Sequence, residues 1–384
     1  MRVTDFSKSG AVKPIAVLPD YRLANLCNIV PALFGPHGTR EVPDWMPSDL
    51  EGARAVVLLV LDGLGWLQFD AHRACMPTLN SFQGGAITTV APSTTATALT
   101  SLATGLAPAE HGLIGYRIDM GDTVMNVLRW GDESNDLRRR YPPQQVQSCP
   151  PFLGASVPVL SKAELAGSGF TQAHLNNVRH HDWRAASSIA VTIAQLINDG
   201  ETFVYAYYDG IDKIAHERGF GDFYNAELRA ADALVTDILA GLPSEVALLV
   251  TADHGQVQVG TNTIRLSPEI MKHVDHQSGE GRFRWLHARR LSASNLLSLC
   301  HEAFDEVAWV VSRQEVLDEG WFGPTMSAEI QRRLGDVALI PFADVSFEDP
   351  ADGGAFQLIC RHGSLTEAEM RVPLLCHLGN KINE

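Results

Sequence analysis

The 384-residue sequence predicts an α/β fold, a three-layer sandwich in which helices flank a mainly parallel central sheet. Three short apolar runs, rich in β-branched residues, have the length of buried parallel strands. They are Ala55–Leu61, Thr202–Tyr208 and Val246–Thr251. Helix-compatible segments lie between these runs, and such alternation of strand and helix is typical of a mainly parallel sheet with helices packed on it.

Three segments are the predicted helices. Ser93–Thr104 consists mostly of small residues that are compatible with a helix, and Trp183–Asn198 has an apolar period near 3.6 residues. Phe223–Leu242 has an apolar stripe and a polar face, as expected of a helix that packs on a sheet.

Two further stretches do not follow this alternation. Residues 120–168 are rich in Pro, Gln, Arg and Gly, and residues 256–350 mix helix-like pieces with loops. We therefore predict a single domain over residues 1–384, in which these two stretches are cap-like insertions that shape a ligand pocket.

The composition excludes several classes of protein. Apolar residues make up 45% and charged residues 20%, as in ordinary soluble globular proteins. The formal net charge of −15 argues against a nucleic-acid polymer as partner. No apolar run is long enough to span a membrane, and Met1–Ala16 lacks the basic start and apolar core of a signal peptide. The six cysteines include no C-x-x-C pair, so the cytoplasm is the predicted location.

An aspartate follows each predicted strand, namely Asp62, Asp209 and Asp253. In a doubly wound sheet, ligands bind beyond the carboxyl ends of the strands. We therefore expect the acidic strand ends to converge on one site.

Four fragments carry candidate metal ligands, since carboxylate oxygen and imidazole nitrogen suit hard or borderline divalent ions. Asp62 precedes a glycine, Asp212 and His216 are four residues apart on one face of a helical turn, Asp253 and His254 are adjacent, and His362 precedes another glycine. Each fragment alone also has a structural interpretation, such as a helix cap or a surface contact.

A candidate nucleophile lies in the hydroxyl-rich segment Ala91–Gly105. The N-terminus of a helix presents backbone N–H groups that suit a phosphoryl oxygen, and a divalent cation lowers the pKa of a nearby hydroxyl. The alternative is that Thr94 or Thr95 only caps the helix.

In their order along the chain, these fragments resemble the alkaline phosphatase superfamily, and within it the type I phosphodiesterase/nucleotide pyrophosphatase family. The resemblance runs from about Val56 to Leu378. In that family the nucleophile lies nine residues before the Thr of a Thr-Gly pair, and a His-Gly pair follows. Here Thr104 and Gly105 point back to Thr95, and His111 precedes Gly112.

The resemblance implies two divalent ions, zinc in most members of the family. Asp62, Asp253 and His254 would hold one ion next to Thr95, and the residues implied for the other are Asp212, His216 and His362. It further implies hydrolysis of a phosphodiester or nucleotide-like substrate through a phosphothreonine intermediate.

The sequence departs from the family pattern at two positions. Nucleotide pyrophosphatases carry an Asn 21 residues after the nucleophile, where this chain has Tyr116, either a donor to a phosphoryl oxygen or a core aromatic. Alkaline phosphatases carry a Glu of a third metal site where this chain has Tyr207, which argues against a monoesterase.

Other residues keep two interpretations each. Asp209 is either an orienter of a ligand histidine or a helix cap, and we favour the cap. Arg282, Arg284 and Trp285 form a basic and aromatic cluster that either contacts the substrate or lies on a surface salt-bridge face.

The expected function is thus that of a phosphodiesterase or nucleotide pyrophosphatase acting on a small phosphorylated or nucleotide-like substrate. A phosphomonoesterase or phosphonate hydrolase with the same site is the enzymatic alternative, because one fold hosts several chemistries. The alternative from another class is a non-catalytic binding protein that retains the metals.

Overall fold

The computed structural model of the protein describes residues 13–35, 42–352 and 357–379. Residues 1–12 of the segment Met1–Ala16, in which we found no signal-peptide pattern, lie outside this part of the chain. Among the described residues, no helix has both the length and the apolar character needed to cross a membrane.

The strands are β1 (Ala55–Leu61), β2 (Gln83–Thr88), β3 (Arg117–Asp119), β4 (Val124–Asn126), β5 (Pro158–Leu160), β6 (Arg179–His180), β7 (Phe203–Tyr208), β8 (Val246–Thr251), β9 (Val257–Gln258), β10 (Thr263–Ile264), β11 (Val274–Glu280), β12 (Phe283–Ala288), β13 (Ala308–Ser312), β14 (Val337–Pro341), β15 (Ser346–Phe347), β16 (Cys360–Arg361) and β17 (Arg371–Leu378).

The α-helices are α1 (Ile29–Phe34), α2 (Trp66–Ala71), α3 (Thr95–Thr104), α4 (Pro108–His111), α5 (Pro143–Val146), α6 (Gly169–His174), α7 (Ser187–Asn198), α8 (Gly210–Arg218), α9 (Asp222–Ala240), α10 (Pro268–Met271), α11 (Ala293–Phe304), α12 (Arg313–Asp318), α13 (Ala328–Gln331) and α14 (Glu367–Met370). Short 3₁₀ helices cover Leu26–Asn28, Ser48–Leu50, Arg73–Cys75, Leu79–Ser81 and Pro151–Gly154.

The central sheet has the strand order β2-β17-β8-β1-β7-β5-β6. β1 pairs in parallel with both β7 and β8, while β17 runs antiparallel to β2 and β8. All residues of β1 and β8 are buried, as expected of strands covered by helices on both faces. The prediction of a helix-flanked, mainly parallel sheet is confirmed.

The segment before α7 corrects one helix prediction. We predicted a helix from Trp183, but the helix begins at Ser187. Instead, the backbone N–H groups of Arg179, His181 and Trp183 donate to carbonyls of 157, 159 and 161, each at 2.9 Å. This alternating ladder extends the edge of the central sheet, because the chain here runs parallel to β5.

A second, antiparallel sheet lies within residues 256–350 and has the order β11-β12-β14-β13. It has its own apolar core, in which Leu286 and Leu339 pack with Leu296 of α11. The prediction of helix-like pieces and loops for this stretch missed the strands of this sheet, whereas helices α10 to α13 do lie within it. Within 120–168, residues 158–160 form β5 and belong to the central sheet rather than to a cap.

Candidate metal centre

The parallel register of the central strands brings acidic side chains to one edge of the sheet. Leu61 of β1 lies beside Tyr208 of β7, and Val60 lies beside Thr251 of β8. Asp62 directly follows β1, Asp253 lies just beyond β8, and Asp212 occupies the first turn of α8 after β7. Strand ends that are far apart in sequence therefore meet, as the sequence predicted.

Asp62 and Asp253 are buried carboxylates with 3% and 0% exposure. One Asp62 oxygen accepts a hydrogen bond from the Tyr207 hydroxyl, and Asp253 Oδ1 accepts from the backbone N–H of Gly63 at 3.1 Å. Burial, followed by the charges of Asp253 and Asp212, raises the pKa of Asp62 well above its ordinary value. A bound cation would remove this cost of bringing carboxylates together.

The three histidines of the site have their tautomers set by the backbone. His216, His254 and His362 each direct Nδ1 at a carbonyl oxygen. The acceptors are, in that order, Cys360 at 2.7 Å, Gly255 at 3.0 Å and Ser93 at 3.0 Å. Because a carbonyl only accepts, Nδ1 carries the proton and Nε2 keeps its lone pair for a metal ion.

These side chains form two overlapping sets. Within each set, the donor atoms all lie within 4.8 Å of one another. One set is Asp62, Asp253 and His254; the other is Asp212, His254 and His362. His216 adjoins the second set, with Nε2 3.3 Å from Asp212 Oδ2. The structure thus brings together all six residues that the resemblance implied, with His254 between the two sets.

The donor set fits divalent cations. Among the described residues, Asp62 Oδ1 and Asp253 Oδ2 are buried and have no hydrogen-bond partner. Nε2 of His254 lies 3.5 Å from both of these oxygens. Buried carboxylate oxygens without a donor are costly unless a cation binds them. Burial and the two neighbouring histidines lower the pKa of His362 well below its ordinary value, which keeps its ring neutral.

Thr95 is the first residue of α3, and Thr94 is its N-cap in extended conformation. The Thr95 hydroxyl lies 3.1 Å from Nε2 of His254. It therefore contacts the first ligand set and lies at the N-terminus of a helix, where backbone N–H groups favour an anion.

Two residues near the site were not predicted from the sequence. The Gln256 amide donates to Asp212 Oδ1 at 3.0 Å, and its place two residues after His254 is the only local signal for it. Glu280, the last residue of β11, is buried, and its carboxyl lies against Gly363 next to His362. Burial raises the pKa of Glu280 to about 8. No local sequence pattern indicates Glu280, because it approaches the site only through the packing of the second sheet.

Close approach to Glu280 explains the glycine after His362. Gly363 has φ of 125°, and a Cβ built on it would lie 2.8 Å from the carboxyl carbon of Glu280. A side chain at this position would displace either Glu280 or the loop that carries His362.

Asp209 does not have the role that we favoured. It precedes α8 but its side chain makes no capping hydrogen bond. Instead its carboxylate pairs with Lys213, one turn into the helix, and lies 3.9 Å from Lys162. The prediction of a cap is wrong because the lysines hold this carboxylate.

Tyr116 lies just before β3 and is half-buried. Burial, followed by the charge of Asp352, raises the pKa of its hydroxyl. A contact of this hydroxyl with a phosphoryl oxygen stays a prediction.

The predicted surface face at Arg282, Arg284 and Trp285 is wrong, since these side chains are buried with 0%, 1% and 3% exposure. Arg282 forms a two-pronged ion pair with Glu369 at 2.7 and 2.8 Å. The Arg284 guanidinium lies 3.5 Å from Asp349. The carboxylates that pair with the two arginines are buried parts of the fold. A contact of these three residues with a substrate stays a prediction.

A cavity of about 230 Å³ adjoins the ligand residues. Asp62, Thr95 and Asp212 line one part of it, while Leu99 and Phe170 contribute apolar wall. This volume is at the small end for ligand pockets, so it suits a small substrate.

Comparison with protein families finds one match to this chain. The sequence model of the family described as type I phosphodiesterase/nucleotide pyrophosphatase matches residues 56–364. Comparison with curated protein sequences finds no significant match.

Several solved structures share the fold. Murine ectonucleotide pyrophosphatase/phosphodiesterase 5 has a TM-score of 0.63 at 15% identity, covering 84% of this chain and 88% of that chain. The same murine protein, as an inactive variant in complex with AMP, has a TM-score of 0.62 at 14% identity with the same coverages. Phosphonoacetate hydrolase from Sinorhizobium meliloti 1021 in complex with phosphonoformate has a TM-score of 0.60 at 16% identity, covering 87% of this chain and 92% of that chain.

Proposed function

Because the chain belongs to the type I phosphodiesterase/nucleotide pyrophosphatase family, we propose that it hydrolyses a small phosphodiester or nucleotide-like substrate with Thr95 as nucleophile. The family and the structural relatives above are phosphoester and phosphonate hydrolases. The observation that carries the proposal is the 3.1 Å contact between the Thr95 hydroxyl and a histidine shared by two sets of metal-ligand side chains.

Two divalent ions, with zinc as the proposed metal, would be held by the six ligand residues: Asp62, Asp212, His216, Asp253, His254 and His362. When bound, the ions would supply positive charge for the transferring phosphoryl group and lower the pKa of the Thr95 hydroxyl. The predicted cytoplasmic location stays a prediction of the sequence.

In the first step, Thr95 Oγ1 would form a bond to phosphorus as the bond to the leaving oxygen breaks. The leaving alcohol or phosphate takes up the proton that Thr95 gives up, and a phosphothreonine remains. A water molecule then attacks phosphorus, releases the product and returns a proton to Thr95. The start of α3 would hold the non-bridging oxygens through its N–H groups, and the hydrogen bonds of the histidine Nδ1 atoms would keep the ligand rings in place.

We further propose that residues 256–350 shape the pocket. The supporting contact is that of Glu280, whose carboxyl extends from the second sheet to Gly363, the residue after His362. Residues 120–168, apart from β5, would complete the cap that the sequence predicted.

Hydrolysis of a phosphonate is the second candidate, and the small cavity beside Thr95 favours it. The murine relative in complex with AMP supports the nucleotide-like substrate instead.

The test compares the zinc-loaded protein on bis-p-nitrophenyl phosphate, p-nitrophenyl phosphate and phosphonoacetate. We expect a preference of about tenfold or more for the diester over the monoester. We also expect Thr95→Ala to keep both ions but to lose activity by about three orders of magnitude or more, because the nucleophile is gone.

The matched control is Thr94→Ala, which removes the neighbouring hydroxyl and should retain activity within about tenfold. A preference for the monoester or for phosphonoacetate would overturn the proposed substrate class. Equal inactivity of the wild type and Thr95→Ala on all three compounds would favour the metal-retaining binding protein.

A further inference from the structure

A separate group of metal-ligand side chains lies where the hairpin of β3 and β4 meets the second sheet. Asp119 ends β3, while His276 and His287 face each other across β11 and β12. Asp119 Oδ2 lies 3.2 Å from His276 Nε2 and 3.4 Å from His287 Nδ1. The donor atoms of the three residues all lie within 4.8 Å of one another, and none of the three belongs to the candidate metal centre.

Each histidine of this group is oriented by a second partner. His276 Nδ1 lies 3.2 Å from Asp275 Oδ2, and His287 Nε2 lies 2.8 Å from Ser278 Oγ. In both rings, the nitrogen that faces away from Asp119 can therefore carry the proton. The nitrogen that faces Asp119 is then left with a lone pair, which is the arrangement found around histidine ligands of metals.

The three side chains differ in their exposure to solvent, so that an ion could enter the group from one side. The side chains of Asp119 and His287 are 12% and 10% exposed, while that of His276 is 37% exposed. Asp119 also lines a cleft of about 360 Å³, together with Arg140 and Arg332. An ion could reach the group from solvent, and the cleft leaves room beside it for a water molecule or an anion.

We propose that Asp119, His276 and His287 form a third metal site, which binds a zinc-like divalent ion. Two imidazole nitrogens and one carboxylate oxygen are a common zinc ligand set, and three protein ligands leave a fourth position open. The ion would link the β3–β4 hairpin, which follows Tyr116, to the second sheet. This site does not depend on the proposed hydrolysis.

The first test locates the ion in the wild-type protein. Crystals soaked in zinc chloride are measured at the zinc absorption edge, and an anomalous difference map is calculated. We expect a peak about 2.0–2.2 Å from one donor atom of each of the three residues. A map without a peak at this position would overturn the proposal, whatever it shows at the candidate metal centre.

The second test counts zinc ions per chain by mass spectrometry after equilibrium dialysis. We expect His287→Gln and Asp119→Asn each to hold one ion fewer than the wild type. His301→Gln is the matched control, because it breaks an exposed His–Asp pair with Asp305 at 3.0 Å and should leave the count unchanged.

The difference in ion count separates this proposal from the proposed function. Three ions in the wild type and two in each variant would support both the third site and the proposed two-ion centre. One ion in the wild type and none in either variant would support only the third site. Equal counts in the wild type and both variants would overturn the third site. The map of the wild type decides the question if a variant fails to fold.

Discussion

Tyr207 and Tyr208 are adjacent on β7, and each donates its hydroxyl to a carboxylate. Tyr207 donates to Asp62 in the candidate metal centre, whereas Tyr208 donates to Glu227 of α9 at 2.5 Å. The two tyrosines point to opposite faces of the strand, so only Tyr207 can contact the residues of the candidate metal centre. Where alkaline phosphatases have a glutamate of a third metal site, this chain has a residue that orients the carboxylate of Asp62.

We predict that Tyr207→Phe weakens zinc binding about 10- to 100-fold, because Asp62 loses the hydrogen bond that orients it. The measurement is a competition titration against a chromophoric chelator. Tyr208→Phe is the matched control, and we expect its zinc affinity to equal that of the wild type. Equal affinities for Tyr207→Phe and Tyr208→Phe would show that the hydroxyl on Asp62 does not tune the site.

At the scale of elements, one buried ion pair joins the second sheet to the loop that carries His362 of the candidate metal centre. Arg282 lies in the turn between β11 and β12, and Glu369 lies in α14, which leads into β17. Glu369 also accepts from the backbone N–H of Ser364 at 3.1 Å, two residues after His362. The guanidinium further donates to Ala343 and Val345 carbonyls at 2.9 and 2.7 Å, so the pair has the hydrogen bonds that a buried charge requires.

We predict that Arg282→Met lowers the free energy of unfolding by about 3–5 kcal/mol, because it leaves the Glu369 carboxylate buried without a counter-charge. Urea denaturation followed by circular dichroism measures this change.

The chain offers a matched control in Arg265, which forms a similar two-pronged pair with Glu348 at 2.6 and 2.8 Å but is exposed. We expect Arg265→Met to leave the free energy of unfolding almost unchanged, since solvent screens the pair. A comparable decrease in the free energy of unfolding in both variants would show that burial does not make the Arg282 pair more important for stability than the exposed pair.

The central strands could be predicted because burial on both faces leaves continuous apolar runs, as in β1 and β8. The same criterion missed β11, whose sequence from Val274 to Glu280 includes Asp, His, Gln, Ser and Glu. Those polar side chains contact other elements and thus hide the strand pattern. The extended chain near Trp183 was missed for a related reason, since an apolar period over a short edge segment also fits a helix.

On the scale of the whole molecule, the candidate metal centre could be predicted because each of its residues lies in a short local motif, either at the end of a strand or in the helix that follows it. Parallel strands then bring these motifs to one edge, as for Asp62 and Asp253. Contacts between the sheets had no such motif. Glu280 and Arg282 come near the centre only through the packing of the second sheet, which no local pattern describes.

Removal of the metals should make the stability of the whole chain depend on pH. Asp62 has a raised pKa, and that of Glu280 is about 8, so the folded state retains protons that the unfolded state loses near pH 4 to 4.5. The free energy of unfolding therefore falls as pH rises toward these folded-state values. The buried histidines with lowered pKa, including His111 and His174 at about 3 and 4, are neutral in the folded state. In the unfolded state a minor fraction of them still carries a proton at pH 7, so their deprotonation opposes this fall only weakly.

We predict that, in the presence of a chelator, the free energy of unfolding falls by about 1 kcal/mol or more between pH 7 and pH 8. Saturating zinc should make the free energy of unfolding depend less on pH, because the bound ion offsets the charge of the ionised Asp62. Zinc should therefore stabilise the chain more at pH 8 than at pH 7. Urea denaturation at the two pH values, with chelator and with zinc, measures both slopes, and Glu280→Gln should retain only the part due to Asp62. A chelated protein whose stability is constant or rises over this range would contradict the raised pKa values, because a carboxyl that is ionised in both states contributes no slope.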